Sequence, residues 1–229
     1  MGSNEWRFFR QPLKRIPFNQ RPRAHLMAGE RWLLCCAGDW PPASIWDPLA
    51  QTVDRIIGVD GGTDIALSLN LDVDLAVGDL DSIKDETVTR IPLLDQDSSD
   101  LSKALKFAVK EGASTVDVIG VEGGDIDHQL AAFAALIEAP AELDVRLHLA
   151  EHIALRCSSE LQLILDAGTQ LSLFAFTACP HVSISGVEFP IEDEPLAFST
   201  RGLHNVALGG LVDIHSDGEL VVLIGRQQD

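Results

Sequence analysis

The chain of 229 residues is short of positive charge: 17 Lys and Arg stand against 35 Asp and Glu, a formal net charge of −18. Six of the basic residues but only two of the acidic ones lie in Met1–Glu30, so the rest carries 11 against 33, a net charge of −22. A body that acidic repels the phosphate backbone, which argues against DNA or RNA as a partner. Cysteine is scarce too. Cys35, Cys36, Cys157 and Cys179 form no C-x-x-C spacing, so no zinc site is expected. Cys35 and Cys36 sit in the apolar run Trp32–Ala37 and read as core thiols in a reducing, cytoplasmic setting. No apolar stretch reaches the length of a membrane span and no hydrophobic signal segment opens the chain, so no membrane partner is expected. There is no tyrosine, and no tryptophan beyond Trp46.

What is present suffices for a core, since 46% of the residues are hydrophobic. Residues 1–30 read as a flexible basic leader, with a targeting role left open. From Arg31 to Leu143 strands and helices alternate. Strand-like runs cover Trp32–Ala37, Arg55–Val59, Leu75–Val77 and Thr115–Ile119. Helical patterns cover Ala43–Thr52, Asp64–Leu69, Asp100–Gly112 and Asp127–Glu138. In the third helix Leu101, Ala104, Leu105, Ala108 and Val109 share one face, with Ser99 placed to cap it and Gly112 to end it. Solid apolar strands alternating with helices imply a parallel sheet covered on both faces.

After Pro140 the texture changes to short strand candidates: Val145–Leu149, Ile153–Arg156, Gln162–Leu165, Gln170–Ala175, His181–Ile184 and Leu220–Ile224. Turn signals such as Asp166-Ala167-Gly168 and Ser216-Asp217-Gly218 separate them. The expected fold class is therefore α/β plus all-β. An N-terminal parallel-sheet α/β/α nucleotide-binding domain over 31–143 is followed by a C-terminal antiparallel β-sandwich over 144–229, with a seam near residues 139–144.

Residue types that carry chemistry gather just after the strands. Gly78-Asp79-Leu80-Asp81-Ser82 places two carboxylates two positions apart. On an extended backbone both point to one side and can share a Mg²⁺, which takes one or two carboxylates with waters and substrate phosphates. Asp60-Gly61-Gly62 repeats the Asp–Gly pattern after the preceding strand, and paired glycines let a backbone approach phosphate closely. The helix beginning near Asp100 offers free N–H groups and a positive dipole end; Asp100 could supply a third carboxylate and Lys103 could reach a phosphate. Gly120-Val121-Glu122-Gly123-Gly124-Asp125-Ile126-Asp127-His128 is a strand-to-helix loop able to cradle phosphate or adenine, with Asp127 also placed to cap the helix. Taken singly, each segment also reads as a polar turn or a capped surface helix. Four of them at the carboxyl ends of strands in one sheet, where open α/β sheets bind ligands, point to one site.

In this order, these segments resemble the thiamine pyrophosphokinase family: Asp60-Gly61-Gly62, Gly78-Asp79-Leu80-Asp81-Ser82, Gln96-Asp97-x-Ser99-Asp100-Leu101-x-Lys103-Ala104-Leu105 and Gly123-Gly124-x-x-Asp127-His128. In the β half, Ser172-Leu173-Phe174, Ser185-Gly186-Val187-x-Phe189-Pro190 and Ser199-Thr200-Arg201-Gly202-Leu203-His204-Asn205 extend the resemblance. It implies a homodimer with sites at the subunit interface and transfer of diphosphate from ATP to the hydroxyethyl oxygen of thiamine, releasing AMP. It further implies that Asp79, Asp81 and Asp100 hold Mg²⁺. Asp60, Gly61, Gly62, Ser82, Ser99, Lys103, Gly123, Gly124, Asp127 and His128 would surround ATP, and Gln96, Ser199, His204 and Asn205 would lie near thiamine.

The chain departs from that family pattern in three ways. Asp125 stands where the glycine loop usually continues with arginine. His204 stands where serine is usual. Stacking on the thiamine pyrimidine falls to Phe or His, for want of a tyrosine or a late tryptophan. Two alternatives stay open: diphosphate transfer to another, pterin-like hydroxymethyl heterocycle, and a sensor domain that binds nucleotide or thiamine with little turnover.

Overall fold

The computed structural model describes residues 29–227, so all but the end of the expected leader lies outside the described residues. The parallel core is β1 (Glu30–Cys35), β2 (Arg55–Val59), β3 (Leu75–Gly78), β4 (Arg90–Pro92) and β5 (Ala113–Ile119), in the spatial order β5-β1-β2-β3-β4. β2 and β3 are buried along their whole length, as unbroken apolar runs require in a sheet covered on both faces. The helices α1 (Ala43–Thr52) and α2 (Gly62–Ser68) cover one face, where Ala50 and Ala66 pack with Leu33, Cys35, Ile56 and Ile119. On the other face α3 (Asp100–Lys110) and α4 (Ile126–Glu138) pack with Trp32, Leu34, Val77 and Val118.

α3 follows the sequence reading closely. The Ser99 hydroxyl accepts the Ser102 N–H at 3.2 Å, satisfying one of the helix's free donors. Gly112, at φ 99°, closes the helix with its N–H on the Val109 carbonyl. Leu101, Ala104, Leu105 and Ala108 are buried along one face, and each leucine contributes roughly 1.5–3 kcal/mol by leaving water. The N-cap of α4 is Asp125, two residues before the Asp127 expected there.

Across the expected seam at 139–144 the sheet continues. β6 (Asp144–His148) joins β5 in parallel, and β7 (His152–Cys157) returns antiparallel to β6. β14 (Leu220–Gly225), β9 (Gln170–Ala175) and β12 (Asn205–Val206) extend the same sheet to ten strands, β12-β9-β14-β7-β6-β5-β1-β2-β3-β4. A four-stranded antiparallel sheet, β11-β10-β13-β8, faces that extension. Its strands are β8 (Glu160–Leu165), β10 (Cys179–Ser185), β11 (Ile191–Leu196) and β13 (Gly210–Ser216). Leu171, Leu173, Val222 and Ile224 from the large sheet pack against Val182, Ile184, Val212 and Ile214 from the small one. A sandwich therefore exists, but one of its sheets is the far end of the nucleotide-side sheet. The texture change near residue 140 marks the end of helical crossovers rather than the end of the sheet, because backbone hydrogen bonding runs on past it.

Four strands escaped the sequence reading. β11 carries Glu192, Asp193, Glu194 and Pro195, a composition that hides a strand, and it lies at a sheet edge where proline is tolerated. β13 alternates, with Val212, Ile214 and Ser216 buried and Asp213 and His215 more open. β4 and β12, of three and two residues, are too short for a period to register. All four cysteines are free and buried, as expected of core thiols. Burial pushes the Cys36 thiol up to about 12, with the nearby Asp100 charge adding to the effect.

Candidate active site

A cleft of about 450 Å³ opens at the carboxyl ends of β1, β2 and β5, where the strand order reverses around β1. Of the residues singled out from the sequence, Asp60, Ser99, Asp100, Gly123, Gly124 and His128 line it. The loops after β1 and β5 are zipped together: Gly38 N–H donates to the Gly120 carbonyl at 2.8 Å and Asp39 N–H to the Glu122 carbonyl at 2.7 Å. Gly123 has φ 70°, and a first side-chain carbon there would lie 2.1 Å from the Asp39 carboxylate. Glycine at that position is thus required by backbone and neighbour alike.

Carboxylate oxygens of Asp60, Asp79 and Asp81 lie within 4.8 Å of one another. The convergence of Asp79 and Asp81 was expected, but from an extended backbone. Instead Leu80 adopts a left-handed conformation at φ 69°, costing on the order of 1–2 kcal/mol, and the chain turns between the two acids. Asp81 N–H donates weakly to Asp79 Oδ1 at 3.4 Å, and the Ser82 hydroxyl donates to Asp81 Oδ1 at 2.8 Å. Asp60 is itself left-handed at φ 45°. Its Oδ1 is shielded from water and receives no hydrogen bond.

Asp100 stands next to this trio. A first side-chain carbon on Gly78, at φ 135°, would come within 3.3 Å of Asp60 Cβ and 3.5 Å of Asp100 Oδ1, so the glycine lets the two acids approach. Asp100 Oδ1 is also shielded from water, and its approach to Lys103 Nζ at 2.7 Å is a charge pairing without hydrogen-bond alignment. Lys103 is buried in that pair and does not line the cleft. Three clustered carboxylates and two solvent-shielded oxygens without donors are a donor set that suits a hard divalent cation.

Residues 46–149 match the family model described as "Thiamin pyrophosphokinase, catalytic domain". Over those residues the chain is similar to the thiamin pyrophosphokinase family. The thiamine pyrophosphokinase of Bacillus subtilis is 26% identical over 185 residues, covering 70% of this chain and 86% of the relative. Among solved structures, a Bacillus subtilis thiamine pyrophosphokinase superposes with a TM-score of 0.73 at 21% identity, over 87% of this chain and all of that one. The Candida albicans thiamin pyrophosphokinase superposes at 0.70 with 14% identity, over 90% of this chain and 92% of its own. The thiamin pyrophosphokinase fold thus extends well past the matched segment, into the antiparallel half.

Other residues singled out by the resemblance to thiamine pyrophosphokinases fall elsewhere. Gly62 opens α2 and packs on β1: a first side-chain carbon there would lie 2.1 Å from the Cys35 carbonyl oxygen. Gly61 precedes it outside the cleft lining, and Asp127 accepts the His128 N–H at 2.9 Å. Gln96 is exposed in the loop before α3. Ser199 and His204 are exposed near β12, and His204 is left-handed at φ 56° with its N–H on the Ser172 hydroxyl. Asn205 is buried, and its amide clamps both backbone groups of Phe189, at 3.0 and 2.7 Å. Eight strand spacings separate β12 from β3, roughly 30–40 Å along the sheet, so one chain does not bring Asn205 to the carboxylates.

Three cleft features were not named as site residues from sequence. Glu122 lines the wall, Cys36 lines it just past the end of β1, and the Asp39 carboxylate stands where a side chain on Gly123 would lie. Only Glu122 had a local signal, as an acid next to a glycine pair; the other two depend on strand pairing.

Proposed function

We propose that the protein is a thiamine diphosphokinase, transferring diphosphate from ATP to the hydroxyethyl oxygen of thiamine and releasing AMP. The observation that carries this reading is the convergence of Asp60, Asp79 and Asp81 beside a cleft walled by Gly123 and Gly124. Asp79 and Asp81, with Asp60 and Asp100 beside them, would hold Mg²⁺, whose chemistry there is to neutralise charge on the polyphosphate. The chain's own part is positioning. Gly124, with open space where a side chain would stand, leaves room for the polyphosphate to approach the backbone, and Ser99 shapes the start of α3. Asp81 or Asp100 accepts the hydroxyl proton. Residues 31–143 would serve ATP and 144–229 the acceptor.

A homodimer completes this reading. Asn205, on β12, lies too far along the sheet to serve the carboxylates of its own chain, so a second copy would supply the acceptor side. Phe174, Phe176 and Phe198 form a partly exposed aromatic group, with ring centroids 6.4 Å apart for Phe174–Phe198 and 5.9 Å for Phe176–Phe198. Phe133 of α4 lies 6.5 Å from Phe176. These rings offer the stacking surface that tyrosine and tryptophan do not. Free, buried cysteines fit a reducing, cytoplasmic setting.

Pure protein given ATP, Mg²⁺ and thiamine should form AMP and thiamine diphosphate in equal amounts; ADP as product would overturn the proposal. Because Asn205 spends its amide on Phe189, a second reading is transfer to another hydroxymethyl heterocycle. AMP release with a pterin alcohol but not with thiamine would favour it.

A further inference from the structure

A chain of charged and polar side chains runs through the sheet to the wall of the cleft. Arg31 Nε lies 2.6 Å from Asp117 Oδ2, and Asp117 Oδ1 lies 2.6 Å from His148 Nε2. His148 Nδ1 lies 3.0 Å from a terminal nitrogen of Arg226. A guanidinium only donates, so His148 Nδ1 accepts and Nε2 carries the hydrogen given to Asp117. Asp117 is fully buried. Burial alone would raise its pKa, but hydrogen bonds from His148 and Arg31 outweigh that and hold it below the usual carboxylate value.

Arg226, just past β14, also grips the β6–β7 turn: its side-chain Nε donates to the Leu149 carbonyl at 3.2 Å and its backbone N–H to the Glu151 carbonyl at 2.8 Å. The next residue in that turn, Ala150, donates its N–H to the Glu122 carboxylate. Burial lowers the pKa of Arg226, and attraction to Glu122 opposes that shift. The sequence of charges is therefore Arg31 positive, Asp117 negative, His148 neutral, Arg226 positive and Glu122 negative.

Glu122 directly precedes Gly123-Gly124 and lines the cleft. Turned inward, its carboxylate would repel a polyphosphate. We propose that Arg226 is a positioning residue for nucleotide binding: through the 148–151 turn it holds the Glu122 carboxylate off the cleft and fixes the glycine loop. The proposal rests on reading the cleft as the ATP site. It assigns work to a residue just past β14, outside the parallel core.

The test uses the full chain with Arg226→Met, Arg226→Lys and Arg226→Met/Glu122→Gln. In Arg226→Met, amide exchange at residues 122–124 should speed about tenfold while β10 and β13 stay as in wild type. KM for ATP should rise about tenfold with kcat within about twofold, and Arg226→Lys should recover part of the loss. Adding Glu122→Gln should bring KM back to within about threefold of wild type, since the repelling charge is gone. Unchanged exchange at 122–124 in Arg226→Met would overturn the proposal. A double variant no better than Arg226→Met would do so as well. Exchange is read without nucleotide, so a protein that never turns over ATP would sink the proposed activity while leaving the positioning role to be decided by exchange.

Discussion

The two ends of the ten-stranded sheet use one backbone pattern to different ends. In β5-β1-β2-β3-β4 every strand runs the same way, so every outgoing loop leaves at one edge. Asp60, Asp79 and Gly123 come from three separate stretches and still meet, because parallel topology delivers them there. In β7-β14-β9-β12 the neighbours are antiparallel and successive turns leave at opposite edges. That end gathers an apolar core around Leu173 and Val222 instead. The outer sheet also holds a trio of similar composition, Glu160, Asp213 and His215, with ligand atoms within 4.8 Å of one another. It lies on the paired antiparallel strands β8 and β13, with no crossover helix following either one. Clustered acids alone therefore distinguish nothing; what surrounds them does.

The comparison breaks most sharply on the carboxylates. Asp79→Asn should lower turnover by about a thousandfold or more, on the order of 4 kcal/mol in barrier, with the melting temperature unchanged. Asp213→Asn should leave turnover within about twofold, and equal losses in the two variants would end the distinction.

Next comes the buried joint between the two ends. Asp117→Ala leaves Arg31 and His148 without their acid and should cost about 3 kcal/mol in denaturant unfolding. Because the folded pKa of Asp117 lies below the ordinary value for an aspartate, its stabilisation is complete above that ordinary value and is lost as pH falls through the folded one. The variant should therefore lose stability less steeply than wild type in acid; matching acid limbs would exclude this role.

The smallest effect sharpens the contrast between loops. Gly62→Ala drives a carbon into the Cys35 carbonyl and should cost about 1–3 kcal/mol in stability. Gly168→Ala, at φ 87° in open space between β8 and β9, should cost only about 1 kcal/mol, from backbone strain alone. Comparable thermal shifts would mean that packing at Gly62 is looser than the geometry indicates.

Much of this was legible from the chain. α3 was read with its cap, its stop and its buried face, because those signals are local. The loops ending in Asp60, Asp79, Ser99-Asp100 and Gly123-Gly124 were placed at one sheet edge from strand–helix alternation. The joining of Asp60 to Asp79 and Asp81 was not legible, since it depends on left-handed turns at Asp60 and Leu80 that no side-chain pattern announces. Nor was the role of Gly62: its reason is a carbonyl on another strand. β11 was hidden by Pro195 and its acids, because an edge strand needs little hydrophobic signal.

By itself the sequence determined where the helices, the parallel apolar strands and the acid–glycine loops lie, because burial periodicity and capping act over a few residues. Tertiary structure alone decided that β6 carries the sheet onward from β5, that Arg226 reaches the turn beside Glu122, and that Asn205 turns inward to Phe189. Those contacts join residues between 16 and 77 positions apart. Their energies depend on distance in space, which no local period of the chain encodes.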